Sequence, residues 1–295
     1  MGTAVFLAAG VMAFGAGCLA RSRYERDCLV TEEYRIASEK IHGQGKTIVF
    51  LTDLHNKEFG EENSRLLETV RKVKPDAVLF GGDGMVAKRG NSDVRIPLAL
   101  LTELAKEFPV YCGNGNHESR MVWKTDVYGE TYEHYRMALE DAGIRYLSNE
   151  AADLDSDIRI YGLDLPKSAY RPRSGEIPEG LLKETLGEPD PEKFCLLLAH
   201  SPLFFEEYAA WGADLTLSGH FHGGTIRLPL VGGVMTPQYQ FFYPRCAGYF
   251  ELPGKGREKS RMIVGRGLGT HSINIRLNDK PQVVVVRLCG ADTQQ

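Results

Sequence analysis

The chain has 295 residues, of which 43% are hydrophobic and 25% charged, a composition typical of a globular α/β protein. At a formal net charge of −4, no bulk basic surface argues for nucleic-acid binding, which is still compatible with a site metal that supplies local positive charge. The six cysteines include no Cys-x-x-Cys pair, so zinc-ribbon and thioredoxin-like sites are excluded.

The N-terminus differs from the rest of the chain. Residues 4–20 carry no charge, and Arg21, Arg23 and Arg26 follow them. This run is at the short limit for a membrane span, and the basic residues after it predict an uncleaved anchor with the body in the cytoplasm. An exported, processed form is the alternative. We therefore expect an anchor over residues 1–21, a polar tether over 22–45 and one domain over 46–290, with the oligomeric state left open.

Beyond the tether, apolar strands alternate with helical patterns. The predicted strands are Thr47–Thr52, Ala77–Phe80 and Pro109–Cys112, and the predicted helices between them are Glu61–Val73 and Asp93–Phe108. These strands are apolar at nearly every position instead of alternating. Such strands, separated by helices, predict an α/β fold with a parallel sheet that is covered on both faces.

The second half of the chain continues this pattern and then closes a second sheet. Its predicted elements are a helix at Tyr128–Ala142, strands at Ile158–Leu163, Phe194–Ala199 and Ala213–Leu217, a short helix at Phe204–Trp211, and strands at Tyr249–Leu252, Met262–Val264 and Val283–Leu288. Residues 164–178 and 223–244 are predicted to be irregular. The aromatic residues of 239–243 are expected to pack in the core or in a lid, with a lipid contact as the alternative, and His271 is expected to lie at a surface or pocket rim.

Side chains with metal-binding chemistry follow the ends of five predicted strands. In chain order they are Asp53, His55, Asp83, Asn116, His117, His200, His220 and His222. Five of the eight histidines of the chain fall in these positions, which random placement would rarely produce. Because the carboxyl ends of parallel strands meet at one edge of a sheet, we expect these side chains to lie together.

Carboxylate, imidazole and amide-oxygen ligands together suit Mn, Fe or Zn, and suit Mg less well. Apart from His117 there are seven such groups, too many for one ion and about right for two that share a carboxylate. Two ions can activate a bridging water and stabilise both oxygens of an in-line displacement at phosphorus. His117 is then free to act on the phosphate or on the leaving group.

The motifs resemble those of the calcineurin-like metallophosphoesterase superfamily. The matching segments, in the family's order, are Asp53-x-His55, Gly82-Asp83, Gly115-Asn116-His117-Glu118, His200 and Gly219-His220-x-His222. Downstream, Gly223-Gly224, Ile226-Arg227-Leu228-Pro229 and Gly265–Thr270 are similar to the membrane-associated YkuE/YaeI-type branch, which includes hydrolases of UDP-diacylglucosamine.

This resemblance implies a two-sheet β-sandwich flanked by helices, and a role for each residue of the pattern. One metal ion would be held by Asp53, His55, Asp83 and His222, and the second by Asp83, Asn116, His200 and His220, with Asp83 bridging the two. His117 would stabilise the transition state or protonate the leaving oxygen.

The expected function is a two-metal phosphoesterase that hydrolyses a phosphodiester or pyrophosphate bond. Its substrate would be lipid-linked or nucleotide-linked, such as a molecule similar to UDP-diacylglucosamine. A phosphomonoesterase acting on proteins or small molecules is the alternative, since the metal ligands would be the same. A catalytically silent, membrane-tethered metal-binding scaffold is a third hypothesis, and the presence of Asp83, Asn116 and His117 argues against it.

Overall fold

The computed structural model describes residues 2–173, 175–255, 259–270 and 274–291, and the predicted rim position of His271 lies outside these ranges. Within them the helices are α1 (Gly2–Glu25), α2 (Ser64–Val73), α3 (Arg95–Ala105), α4 (Asn116–Trp123), α5 (Thr125–Tyr128), α6 (Thr131–Asp141), α7 (Leu181–Leu186) and α8 (Phe205–Trp211). The strands are β1 (Val30–Ser38), β2 (Lys46–Leu51), β3 (Ala77–Phe80), β4 (Val110–Gly113), β5 (Arg145–Leu147), β6 (Glu150–Asp153), β7 (Ile158–Leu163), β8 (Phe194–Ala199), β9 (Leu215–Ser218), β10 (Arg227–Leu228), β11 (Gly232–Gly233), β12 (Gly248–Pro253), β13 (Lys259–Val264) and β14 (Gln282–Gly290).

Two six-stranded sheets pack against each other in the part of the chain that the structure describes. The first has the order β1-β14-β2-β3-β4-β5, and the second has the order β12-β13-β9-β8-β7-β6. Strands β2 to β5 are parallel, and so are β7, β8, β9 and β13, whereas β14 runs antiparallel to β2. The predicted two-sheet sandwich flanked by helices is therefore confirmed.

The strands are apolar on both faces because both faces are covered. In β2, Ile48 and Phe50 point into the core between the two sheets, whereas Val49 and Leu51 belong to the core under α2, α3 and α6. The second sheet repeats this arrangement at β8, where Leu196 faces the other sheet and its neighbours face α8. Each strand thus joins two hydrophobic cores, which holds its carboxyl end at a fixed place.

The segment predicted as a tether contains a strand. β1 pairs in parallel with β14, from Val30 opposite Gln282 to Ser38 opposite Gly290. Its side chains alternate in burial, so that Ile36 is buried between the sheets and its neighbour Arg35 is exposed. Charged residues on the outer face of this edge strand gave the segment its polar composition and concealed the alternation. The boundary predicted at residue 46 therefore falls inside the first sheet.

The structure does not support the predicted membrane anchor. The N-terminal residues do form a helix, α1, over Gly2–Glu25. Among the described residues, however, no helix combines the length and the apolar character needed to cross a bilayer. The cytoplasmic location that was inferred from the anchor stays a prediction.

The aromatic segment after β11 is mostly exposed, contrary to the predicted packing. Tyr239, Phe241 and Phe242 are 55%, 63% and 53% exposed. Tyr243 does pack, with its ring 5.3 Å from that of Phe221. The segment therefore presents apolar side chains to solvent close to the His-x-His loop that contains Phe221.

Candidate metal centre

The two sheets bring all eight predicted site residues to their carboxyl edges. Asp53 and His55 follow β2, Asp83 follows β3, and His200 follows β8. The remaining members are Asn116 and His117, which begin α4 directly after β4, and His220 and His222, which follow β9. All eight are buried.

Their ligand atoms form three overlapping groups, in each of which the atoms lie within 4.8 Å of one another. The groups are Asp53 with His55 and His222, Asp83 with His200 and His220, and His55 with Asp83 and His117. The side-chain Oδ1 of Asn116 is buried and has no hydrogen-bond partner among the described residues. Each of the first two groups contains three of the four ligands predicted for one metal site.

The carboxylate of Asp83 has one oxygen held by the protein and one directed at the histidines. Asp83 Oδ1 accepts a hydrogen bond of 2.8 Å from the backbone N–H of His117. Its Oδ2 lies 3.7 Å from His55 Nε2 and 3.3 Å from His200 Nε2, between the two groups. This is the position that a bridging carboxylate requires.

Asp53 is held by two donors, and one of them, the backbone N–H of His220, lies 3.1 Å from both carboxylate oxygens. Its Oδ2 accepts the hydroxyl of Thr52 at 2.9 Å and the backbone N–H of His220 at 3.1 Å. Its Oδ1 lies 3.5 Å from His222 Nε2. Backbone and side-chain donors therefore fix both carboxylates before any ligand binds.

Hydrogen bonds to backbone carbonyls set the tautomer of two histidines. His200 Nδ1 lies 2.8 Å from the carbonyl oxygen of Gly81, and His222 Nδ1 lies 3.1 Å from that of Gly269. A carbonyl can only accept, so each Nδ1 carries the proton and donates it. In the neutral ring the lone pair is then on Nε2, the atom that faces the carboxylates, as metal coordination requires.

His117 has the opposite tautomer. Its Nδ1 accepts a hydrogen bond of 2.9 Å from the backbone N–H of Ala87. The proton of the neutral ring must therefore be on Nε2, which makes this atom a donor. In their neutral forms, His200 and His222 thus present a lone pair at Nε2, whereas His117 presents an N–H at this atom.

Five of the site residues have left-handed backbone conformations. The φ angles are 53° at Asp53, 47° at His55, 55° at Asp83, 66° at His220 and 47° at His222. Residues other than glycine rarely adopt such angles, and each instance costs about 1–3 kcal/mol. The turns reverse the chain abruptly after each strand, which directs successive side chains into one small volume.

Glycines allow the strand ends to approach each other closely. A Cβ atom at Gly115 would overlap the carboxylate of Asp83, and one at Gly219 would overlap that of Asp53. The glycines that bracket the motifs in the sequence are therefore required by contact with the acidic residues themselves.

The buried charges are strongly coupled. Burial raises the pKa of Asp53 to about 6, although His200 opposes the effect. Burial alone would also raise the pKa of Asp83, but the surrounding histidines, His200 above all, hold it well below its usual value. The pKa of His200 rises to about 10 despite burial, because Asp83 and Asp53 stabilise its charged form. The field of the two carboxylates therefore favours positive charge at the centre.

The residues present fit a pair of metal ions. His55 Nε2 and His222 Nε2 are 3.1 Å apart. Two imidazole nitrogens bound at right angles to one ion, each about 2.1 Å from it, are separated by about 3 Å. Two carboxylates, four imidazoles and one amide oxygen are also a suitable ligand set for borderline divalent metals.

Glu118, the last residue of the Gly115-Asn116-His117-Glu118 motif, has a structural role in this centre that the sequence did not predict. Its buried carboxylate accepts hydrogen bonds from the backbone N–H groups of Asp83 at 2.8 Å, Gly84 at 2.8 Å and Gly115 at 2.9 Å. Burial and the nearby Asp83 raise its pKa to about 7, while the three donors stabilise its charged form. It joins the loop of Asp83 to the start of α4. The sequence signal for this role is a Glu three residues after Gly115, the spacing of a helix capping box.

Arg276 and Tyr170 lie next to site residues but were not predicted from the sequence. Arg276 is 1% exposed and donates at 2.8 Å to the carbonyl of Gly269, the same carbonyl that orients His222. Tyr170 lies in the predicted surface loop, but its ring centroid is 5.1 Å from that of His220. No spacing in the sequence connects either residue to the motifs.

The fold and the site together define a class of protein: a β-sandwich flanked by helices, with clustered metal-ligand side chains at the carboxyl edges of its two sheets. The family model for calcineurin-like phosphoesterases matches residues 46–224. The chain belongs to the calcineurin-like phosphoesterase family, and it is therefore a metal-dependent phosphoric ester hydrolase.

Individual relatives support the same branch. The uncharacterized metallophosphoesterase YkuE of Bacillus subtilis is 28% identical over 291 residues, which cover 96% of this chain and 93% of that protein. Phosphodiesterase YaeI of Escherichia coli is 30% identical and covers 86% of each chain. UDP-2,3-diacylglucosamine pyrophosphatase LpxG of Chlamydia muridarum is 20% identical, covering 86% of this chain and 87% of that protein.

We predict that Glu118→Gln lowers the free energy of unfolding by about 2–4 kcal/mol, measured by urea denaturation. Glutamine has one carbonyl oxygen and an amide group that cannot accept, so at least one buried N–H loses its partner. Glu133→Gln, on the exposed face of α6, is the control and should change stability by less than about 0.5 kcal/mol. Equal effects of the two variants would contradict the role of Glu118.

Proposed function

We propose that the protein is a two-metal phosphoesterase that hydrolyses phosphodiester or pyrophosphate bonds. The observation that carries this proposal is the placement of Asp83, whose Oδ2 lies between His55 and His200. One metal ion would be held by Asp53, His55, Asp83 and His222, and the second by Asp83, Asn116, His200 and His220. Manganese, iron or zinc suits these ligands better than magnesium. When bound, the ions supply an activated water and positive charge that stabilises the phosphoryl oxygens.

In this scheme the protein's own groups orient the reactants and move a proton. The N–H groups of His117 and His220 fix the carboxylates, and the Gly81 and Gly269 carbonyls fix the rings of His200 and His222. His117 Nε2–H is the donor that stabilises charge on the phosphoryl group or protonates the leaving oxygen. Because His117 Nδ1 accepts a hydrogen bond from the backbone N–H of Ala87, the proton of the neutral ring stays on Nε2, on the side of the centre.

The substrate we propose is lipid-linked or nucleotide-linked. One relative is named as a phosphodiesterase, and another is named as a pyrophosphatase of UDP-2,3-diacylglucosamine. The exposed apolar residues of 228–242, which include Leu230, Phe241 and Phe242, begin a few residues after His222. Such a surface beside the centre suits the acyl chains of an amphiphilic substrate.

Asp83→Ala should abolish turnover and lower metal content. It removes the one side chain shared by both predicted sites, so we expect kcat to fall about a thousandfold or more. Metal content by atomic emission and hydrolysis of bis(p-nitrophenyl) phosphate are the measurements. Asp126→Ala, at an exposed position of α5, is the matched control. Retained activity in the Asp83 variant would refute the two-metal scheme.

The manganese-loaded chain should hydrolyse bis(p-nitrophenyl) phosphate with a higher kcat/KM than p-nitrophenyl phosphate. A diester preference supports the proposed bond type, and a lipid-linked diester should then exceed a soluble one in detergent solution. A preference for the monoester would indicate a phosphatase instead. A chain that binds two metal ions but hydrolyses neither ester would favour the silent scaffold.

His117→Ala should impair poor leaving groups more than good ones. If His117 protonates the leaving oxygen, the loss in kcat should be about 10²–10⁴-fold for an alkyl ester and much smaller for a p-nitrophenyl ester. Metal content should stay at the level of the wild type. His134→Ala, on the exposed face of α6, is the control. An equal loss for both esters would assign His117 to charge stabilisation alone.

A further inference from the structure

A basic cavity of about 310 Å³ adjoins the candidate metal centre. Its lining includes His55 of the centre and Gly269, whose carbonyl orients His222. Arg23 and Arg26, at the end of α1, and Lys57 line it from the other side. A ligand in this cavity would therefore lie directly beside a phosphate bound at the centre.

The arginines are held in place by buried hydrogen bonds between α1 and the catalytic body. Ser22 Oγ accepts the backbone N–H of Arg276 at 3.0 Å, and the carboxylate of Glu25 accepts that of Asp279 at 3.4 Å. Ser22 and Glu25 are 3% and 2% exposed. The last turn of α1 is thus part of the wall of the cavity and not a loose extension of the chain.

Two of the basic residues of the cavity form no close ion pair among the described residues, although the carboxylate of Asp27, which also lines the cavity, interacts electrostatically with Lys57 and Arg26. Lys57 forms an ion pair with Asp27, and Arg276 lies 3.4 Å from the carboxylate of Asp279. Arg23 and Arg26, by contrast, form no ion pair with any carboxylate among the described residues. In the same part of the chain the buried Nε of Arg26 has no hydrogen-bond partner. Guanidinium groups match phosphate geometry with paired N–H donors.

We propose that this cavity binds a second phosphate group of the substrate, next to the one that is hydrolysed. The inference rests on the proposed function and narrows it to pyrophosphate-linked substrates. The oxygen of a water molecule would form a new bond to the phosphorus atom of the first phosphate, and the bond from that phosphorus to the bridging oxygen would break. The electron pair of the broken bond would stay on the bridging oxygen, which leaves as part of the second phosphate, whose charge Arg23 and Arg26 stabilise. Of the two protons of the water, one would remain on the new phosphate oxygen and the other would pass to solvent.

Binding of methylenediphosphonate and of inorganic phosphate to the manganese-loaded full chain tests the proposal by calorimetry. The wild type should bind the diphosphonate more tightly, and Arg23→Gln and Arg26→Gln should each weaken that binding about tenfold. Phosphate binding should change less than about twofold. Arg35→Gln, on the exposed face of β1, is the matched control and should change neither. If both variants retain the diphosphonate preference, the proposal is wrong.

Hydrolysis provides an independent test. Arg26→Gln should lower kcat/KM for UDP-glucose about tenfold and leave bis(p-nitrophenyl) phosphate within about twofold. Equal losses on both substrates, or losses in phosphate and diphosphonate binding alike, would overturn a site for a second substrate phosphate. Failure of the chain to hydrolyse any phosphoester would refute the proposed function, while the diphosphonate measurement would still decide the cavity.

Discussion

Two carboxylates, Asp53 and Asp83, lie side by side with almost no exposure to solvent, and the rest of the site is arranged to make this possible. Buried charges of like sign are unfavourable unless donors or cations compensate them. Backbone N–H groups of His117 and His220 donate to the two carboxylates, and imidazoles lie close to Asp83 Oδ2 and Asp53 Oδ1. What remains is a negative field at the point where the two sheets meet. That field attracts the metal ions on which this family depends.

The sandwich provides the rigidity that this arrangement needs. Each strand that leads into the site is fixed on one face by the opposite sheet and on the other by helices. Left-handed turns at Asp53, Asp83 and His220 are unfavourable in isolation, and the cores on both sides of the sheets hold them in place. Glu118 and Arg276 perform the same task with hydrogen bonds, since each joins backbone groups of two or more segments. The precision of the centre therefore comes from groups that do not contact the metals.

Sequence alone predicted the parts of this structure that have a local signature. An apolar run followed by Asp53 and His55, or by Asp83, identifies both a strand and the polar group at its end, and the ordered motifs identified the family. Prediction from the sequence failed where a feature has no local signature. β1 was not predicted because charged residues occupy its outer face, and Arg276 was not predicted because its partners are backbone carbonyls. The tautomer of His117 depends on the N–H of Ala87, thirty residues away, which no spacing rule contains.

The position of β14 has a consequence for biosynthesis. Of the described strands this one is the last in chain order, yet it lies inside the first sheet, between β1 and β2. Until residues 282–290 have left the ribosome, the hydrogen-bonding edges of both neighbours are open, and β1 has no partner. During synthesis the nascent chain therefore has unpaired strand edges, to which chaperones can bind and at which incorrect strand pairings can form. A chain truncated before β14 would expose the same edges permanently.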